Sequence, residues 1–216
     1  MPRGITRVKA SSMLENTAVA GNIANASLNN ITAIPTSIDV GSMTLLQTQT
    51  ASASASLEFS MDSTYDSYVF KWINCHPSTD AARLQFNLSI DNGSNYNVTK
   101  TTTAFRAVHR EDDASTELAY RTPTDLAQST GYQDLITSCG NDNDQASSGT
   151  LQIFSPSSTT FVKHFIATSQ SIHESNISMN LYVAGYGNTT SPITNIKFIM
   201  SSGNIDDGTI KMYGVA

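Results

Sequence analysis

The sequence predicts an all-β chain, an antiparallel jelly-roll-like β-sandwich preceded by an extended N-terminal arm. Three observations carry that expectation. Apolar residues recur with a period of two along many segments, the signature of strands with one buried face. No long amphipathic helical pattern separates these segments, and Gly, Asn, Asp and Pro punctuate them at short intervals. The division predicted is an arm over 1–42 and a sandwich over 43–216.

Residues 1–42 contain no Phe, Trp or Tyr. Around Met13, Leu14 and Val19 a short helix is conceivable, but Gly21 and the Asn-rich stretch after it interrupt the pattern, so the segment reads as an arm that gains order by docking. A first strand is expected near 43–49. Ala51, Ala53, Ala55, Leu57 and Phe59 then alternate with Ser52, Ser54, Ser56, Glu58 and Ser60, predicting one unbroken strand. Tyr68 to Asn74 is apolar at several positions of both phases, which suits a central strand covered on both sides with Trp72 in the core. Leu84, Phe86, Leu88 and Ile90 alternate with polar residues, and so do Ile177, Met179, Leu181 and Val183. Phe161 to Thr168 reads, like Tyr68 to Asn74, as covered on both faces. Further strands are expected near 103–109, 149–155, 193–201 and 208–214. Asn92-Gly93, Gly185 to Asn188 and Asp207-Gly208 are the turn signals. Glu111 to Asp144 reads as a long surface excursion with one helical turn around Thr124 to Gln128.

Charged residues make up 14% of the chain, well below the typical figure of about 25%, while the net charge is −6. An acidic chain is a poor match for a nucleic-acid backbone, so no nucleic-acid partner is expected. No apolar run approaches the roughly 20 residues of a membrane span or the core of a signal peptide, so neither membrane insertion nor secretion is expected. Arg3, Arg7 and Lys9 lie together at the N-terminus of this acidic chain and are the candidate anchor residues of the arm. Cys75 and Cys139 form no metal-binding spacing; a disulfide and two buried free thiols both remain open.

Catalytic chemistry finds little to stand on. No Ser sits in a G-x-S-x-G turn, and His76, His109, His164 and His173 show neither zinc nor triad spacing. His164 lies in an apolar run and reads as a core or groove histidine. Glu111-Asp112-Asp113 and Asn141 to Asp144 offer oxygen ligands without the spacing of a dedicated calcium loop, which leaves Asp142 and Asp144 as weak calcium candidates and no cofactor expected. Tyr65, Tyr68, Tyr96, Tyr132, Tyr182 and Tyr186 fall near strand ends or turns, where rings stack on sugars or pack on a neighbouring subunit.

Three stretches carry a resemblance. Asn22 to Ile38, NIANASLNNITAIPTSI, resembles connector sequences of phage tail-fibre and appendage proteins. Ser63 to Asp80, STYDSYVFKWINCHPSTD, and Ile199 to Val215, IMSSGNIDDGTIKMYGV, are similar to a family of β-rich structural proteins of tailed bacteriophages, marine ones among them. The resemblance implies a non-enzymatic virion protein, assembled in the bacterial host cytoplasm and displayed on the particle exterior. It implies a homotrimer that contacts other virion proteins of capsid or tail, with a host-surface glycan as a further partner. An arm-anchored appendage of the short tail-fibre or receptor-binding type is the first expectation. A capsid decoration protein and a carbohydrate-binding or carbohydrate-active module are the alternatives.

Overall fold

The computed structural model describes residues 43–216, and within them the chain is all-β, with two antiparallel sheets and no helix. The predicted arm over 1–42, with Arg3, Arg7 and Lys9, lies outside the described residues. Twelve strands follow: β1 Thr44–Thr50, β2 Leu57–Ser60, β3 Ser67–Pro77, β4 Leu84–Ser89, β5 Lys100–Arg110 and β6 Thr116–Tyr120. The remainder are β7 Gln133–Asp134, β8 Ser147–Phe154, β9 Lys163–His173, β10 Ile177–Gly187, β11 Asn195–Met200 and β12 Ile205–Val215. The larger sheet runs β1-β12-β3-β8-β9-β10-β5-β6 and the smaller β2-β11-β4-β7.

The alternating residues decide which face each strand buries. Phe59, Phe86, Ile196 and Phe198 of the small sheet meet Phe70, Trp72, Leu151, Phe165, Leu181 and Val183 of the large one in a single core cluster. Phe70 packs at 5.6 Å from Phe59 and 5.5 Å from Phe198, and Phe86 meets Phe165 edge-on at 5.2 Å. Each such pair contributes roughly 0.5–1.5 kcal/mol beyond the area it buries. Trp72 is 1% exposed, as its sequence setting predicts. Its ring lies over Gly149 of the neighbouring β8, where an added Cβ would come within 2.3 Å of the indole.

Several local expectations change. Ala51 to Ser60 is not one strand: only Leu57–Ser60 is, and Ala53 and Ala55 are exposed. Ala51, Ala53 and Ser54 bond the β12 side through Gly208, Asp206 and Ile205, and Ala53 then turns at φ 50 as the chain crosses to the small sheet. Alternating Ala and Ser bury too little apolar surface to hold that stretch in a sheet. Asp207-Gly208 is no hairpin turn but an irregularity inside β12, where Gly208 at φ +119 lies so close to Cys75 that a Cβ would sit 2.6 Å from its Cα. Asn92-Gly93 does turn, yet the strands beside it belong to different sheets, because β4 pairs with β11 and β7. Gly185 to Gly187 continues β10 against Thr102 to Lys100.

Glu111 to Asp144 is less of an excursion than expected. It supplies the edge strand β6 and the short β7, and it sends Leu135, Ile136 and Cys139 into the core. Around Arg121 to Asp125 the backbone makes one turn, with the Asp125 amide donating to the Arg121 carbonyl at 3.1 Å. Phe161 and Ile166 are exposed, so Phe161 to Thr168 is covered on one side rather than two, and Tyr68 to Asn74 is likewise open on one side from Lys71 onward, where Lys71, Ile73 and Asn74 are exposed. That difference leads to the candidate site.

Candidate functional site

The small sheet covers one face of the large sheet, and the other face carries the residues of opposite phase. On β6, β5 and β10 three aromatic side chains fall in one row, since Tyr120 is registered with Phe105 and Phe105 with Tyr182. The Phe105 and Tyr182 rings stack in parallel, 4.7 Å apart and inclined by 11°. Ile166 on β9 is registered with Ala184 of β10, one step along from Tyr182, and Leu118 on β6 with Ala107 of β5. Exposures of 75% for Leu118, 54% for Ile166, 52% for Tyr120, 45% for Phe105 and 39% for Tyr182 make this a wet apolar patch. Large apolar residues gathered on one exposed face mark a contact surface more often than scattered single ones do.

Polar groups surround the patch, with the Asp125 carboxylate at its Tyr120 edge. Thr103, Thr168, Gln170 and Asn180 stand in neighbouring positions of β5, β9 and β10. The Tyr120 hydroxyl donates to Asp125 at 2.6 Å, and that bond raises the phenol pKa. Continuous with Ile166 is a depression of about 510 Å³ lined by Thr101, Thr103, Phe154, His164, Ala184 and Tyr186, among others. His164 is therefore an exposed groove residue with its ring edge-on to Tyr186, 6.3 Å away. Farther along the sheet the face becomes basic, because Lys71 of β3 and Lys211 of β12 are direct cross-strand neighbours.

A second recess, polar and about 460 Å³, lies at the other chemical extreme. Asn74, His76, Asn143, Asp144, Gln145, Ala146, Asp206 and Asp207 line it. Of the two calcium candidates, Asp144 reaches this recess, whereas Asp142 offers its backbone carbonyl to His76 at 3.2 Å. Among the described residues no group of three or more His, Cys, Asp or Glu side chains is placed to hold a metal ion. His109 pairs with Asp113 and His173 with Glu174, both at 3.0 Å, which disperses the four histidines over separate places.

The tyrosines separate into two groups. Tyr68 is buried and donates to Asp62 at 2.6 Å, its pKa pushed up to about 12 by burial and then by that carboxylate. Tyr96 donates to Glu58 at 2.8 Å beneath Lys197, and Tyr65 packs on the core. Only Tyr182 and Tyr186 of the six reach the outer face. Phe105, Tyr120, Leu118 and Ile166 are not singled out by sequence reading. Their one signal is that each occupies the wet phase of its strand, as Tyr182 does between Leu181 and Val183. Cys75 and Cys139 are free and buried, with burial raising each thiol to about 12.

Compared with known proteins, the chain matches no family model, no curated protein and no solved structure.

Proposed function

We propose that this chain is a non-enzymatic structural protein of the exterior of a tailed-phage particle, and that copies of it associate through the outer face of the large sheet. The observation that carries the proposal is the patch of Leu118, Tyr120, Phe105, Tyr182 and Ile166, which gathers five exposed aromatic and aliphatic side chains on one face of the large sheet. Burying such residues between copies stabilises an assembly by about 25 cal/mol per Å² of apolar surface, and the near absence of charge there removes repulsion. Ser63 to Asp80, which contains β3, and Ile199 to Val215, which contains β12, carry the resemblance, and these strands are paired neighbours inside the large sheet, so the two stretches form one packed unit.

The assembly proposed is a homotrimer, carried on the particle as an arm-anchored appendage. Arg3, Arg7 and Lys9 supply the charge to meet an acidic surface of a neighbouring virion protein, a contact weakened by salt. Light scattering of the eluting full-length protein tests the association: a trimer is expected, and Phe105→Asp with Ile166→Asp should yield a folded monomer. A monomeric wild-type protein at micromolar concentration would overturn it. Antibody labelling of intact particles then reads position and copy number. Small multiples of three favour the appendage, whereas hundreds of copies on the head favour a decoration protein.

The parallel Phe105 and Tyr182 stack supports a second reading, a glycan-binding module. An uncharged aromatic platform ringed by Thr, Gln and Asn suits the C–H face and hydroxyls of a neutral sugar. Binding of neutral host glycans that is lost in Tyr182→Ala, with the oligomer unchanged, is the result that favours it.

A further inference from the structure

Among the described residues two lysines are fully buried, and they are held differently. Lys163 points its Nζ at backbone carbonyls, those of Ser158 at 2.6 Å and Phe161 at 2.7 Å foremost. Lys100, the first residue of β5, instead places its Nζ 2.5 Å from Oδ1 of the Asn87 carboxamide on β4 and 2.8 Å from the Val98 carbonyl. Both Lys100 and Asn87 are 0% exposed. Burial lowers the Lys100 pKa to about 7, and no carboxylate contributes to that shift, so the amine is substantially neutral and nucleophilic at ordinary pH.

The carboxamide is fixed as an electrophile. Its Nδ2 donates to the Tyr96 carbonyl at 2.6 Å and the Thr130 carbonyl at 2.9 Å, which defines the amide orientation. Its Oδ1 accepts the Leu88 backbone amide at 2.9 Å, a donor aimed where negative charge develops when Cγ is attacked. Amine and amide are thus held together out of water, the situation in which an intramolecular reaction gains most over its bimolecular counterpart.

We propose that Lys100 Nζ and Asn87 Cγ join in a spontaneous intramolecular amide cross-link with release of ammonia. The amine lone pair forms the new C–N bond and the Cγ–Nδ2 bond breaks. A proton from the attacking amine passes to the departing Nδ2, which leaves as NH3, so nothing is oxidised or reduced. Among the described residues no carboxylate is hydrogen-bonded to either side chain to shuttle that proton, so the reaction is slow and the cross-linked fraction grows with time at mildly alkaline pH. The product ties β5 of the large sheet to β4 of the small one. The inference stands independently of the assembly proposed above.

Denaturing intact-mass measurement of the full-length protein, fresh and after prolonged warm incubation, tests it. Wild type should lose the mass of one ammonia progressively. Cyclisation at Asn92-Gly93 would also release ammonia, so tryptic mapping assigns the loss. The cross-link blocks cleavage after Lys100, giving one peptide from Leu84 to Arg106 without backbone fragments between residues 87 and 100. Lys100→Met should keep its full mass apart from any loss at Asn92, and Asn87→Asp should shed one water in place of ammonia. If either variant fails to fold, the wild-type time course and map decide alone. Complete cleavage after Lys100 and no growing mass loss at that pair would overturn the proposal.

Discussion

At the scale of the residue, two side chains show how the core sets its own terms. Trp72 fills the space over Gly149, and its indole N–H has no hydrogen-bond partner among the described residues. Trp72→Ala should cost about 3–5 kcal/mol through the cavity it leaves, and Gly149→Ala should destabilise by driving a Cβ into the ring. Chemical denaturation of the two variants measures both, and native tryptophan emission should be that of a buried ring. Asp134 is the second case. It is buried between Gln85, at 2.5 Å, and Arg83, at 3.4 Å, and burial outweighs both contacts to raise its pKa. The folded state therefore holds this proton to higher pH than the unfolded chain, so the site costs stability at neutral pH and the cost vanishes as pH falls through the folded value. Asp134→Asn should raise the melting temperature at pH 7, with the difference closing in acid, toward the ordinary carboxylate range near about 4. A lower melting temperature for Asp134→Asn at pH 7 would show that the Arg83 contact wins instead.

At the scale of the element, the strands and the loops make separate predictions. The described strands form one core cluster from residues after position 50, so protein truncated to 43–216 should keep a β-rich circular dichroism spectrum and a cooperative melt close to that of the full chain. Loss of cooperativity would place part of the folding information in 1–42. Cys75 of β3 pairs with Ser147, and Cys139 bridges Ala82, with both thiols inside the core. Thiol reagents should accordingly modify neither cysteine in the native protein and both after denaturation. Rapid native labelling would mean that the 133–147 segment opens locally.

At the scale of the molecule, two sheets share one core cluster. Asp144, Asp206 and Asp207 share a recess with Asn74, His76, Asn143 and Gln145, yet among the described residues no three His, Cys, Asp or Glu side chains are placed to hold an ion. Chelator should leave the melting temperature unchanged, and a fall of about 10 °C, a few kcal/mol, would reveal a bound cation there. Mass measurement and light scattering, described above, address covalent and oligomeric state at the same scale.

Period-two alternation determined the fold class and the placement of most strands, because burial of one strand face is written locally in adjacent residues, and the apolar run around Trp72 determined its burial. It misled where the alternating residues were small, as in Ala51 to Ser56, and where a turn-forming pair sat inside a strand, as at Asp207-Gly208. Strand order was not legible, since the pairing of β3 with β12 joins segments far apart in sequence. The candidate site was illegible for the same reason. Phe105, Tyr120, Tyr182 and Ile166 come from four strands, and alternation tells which residues share a face but not which strands stand side by side. Only hydrogen-bonded register across the large sheet placed the three rings in one row, and only the packing of the small sheet on the opposite face left them in water.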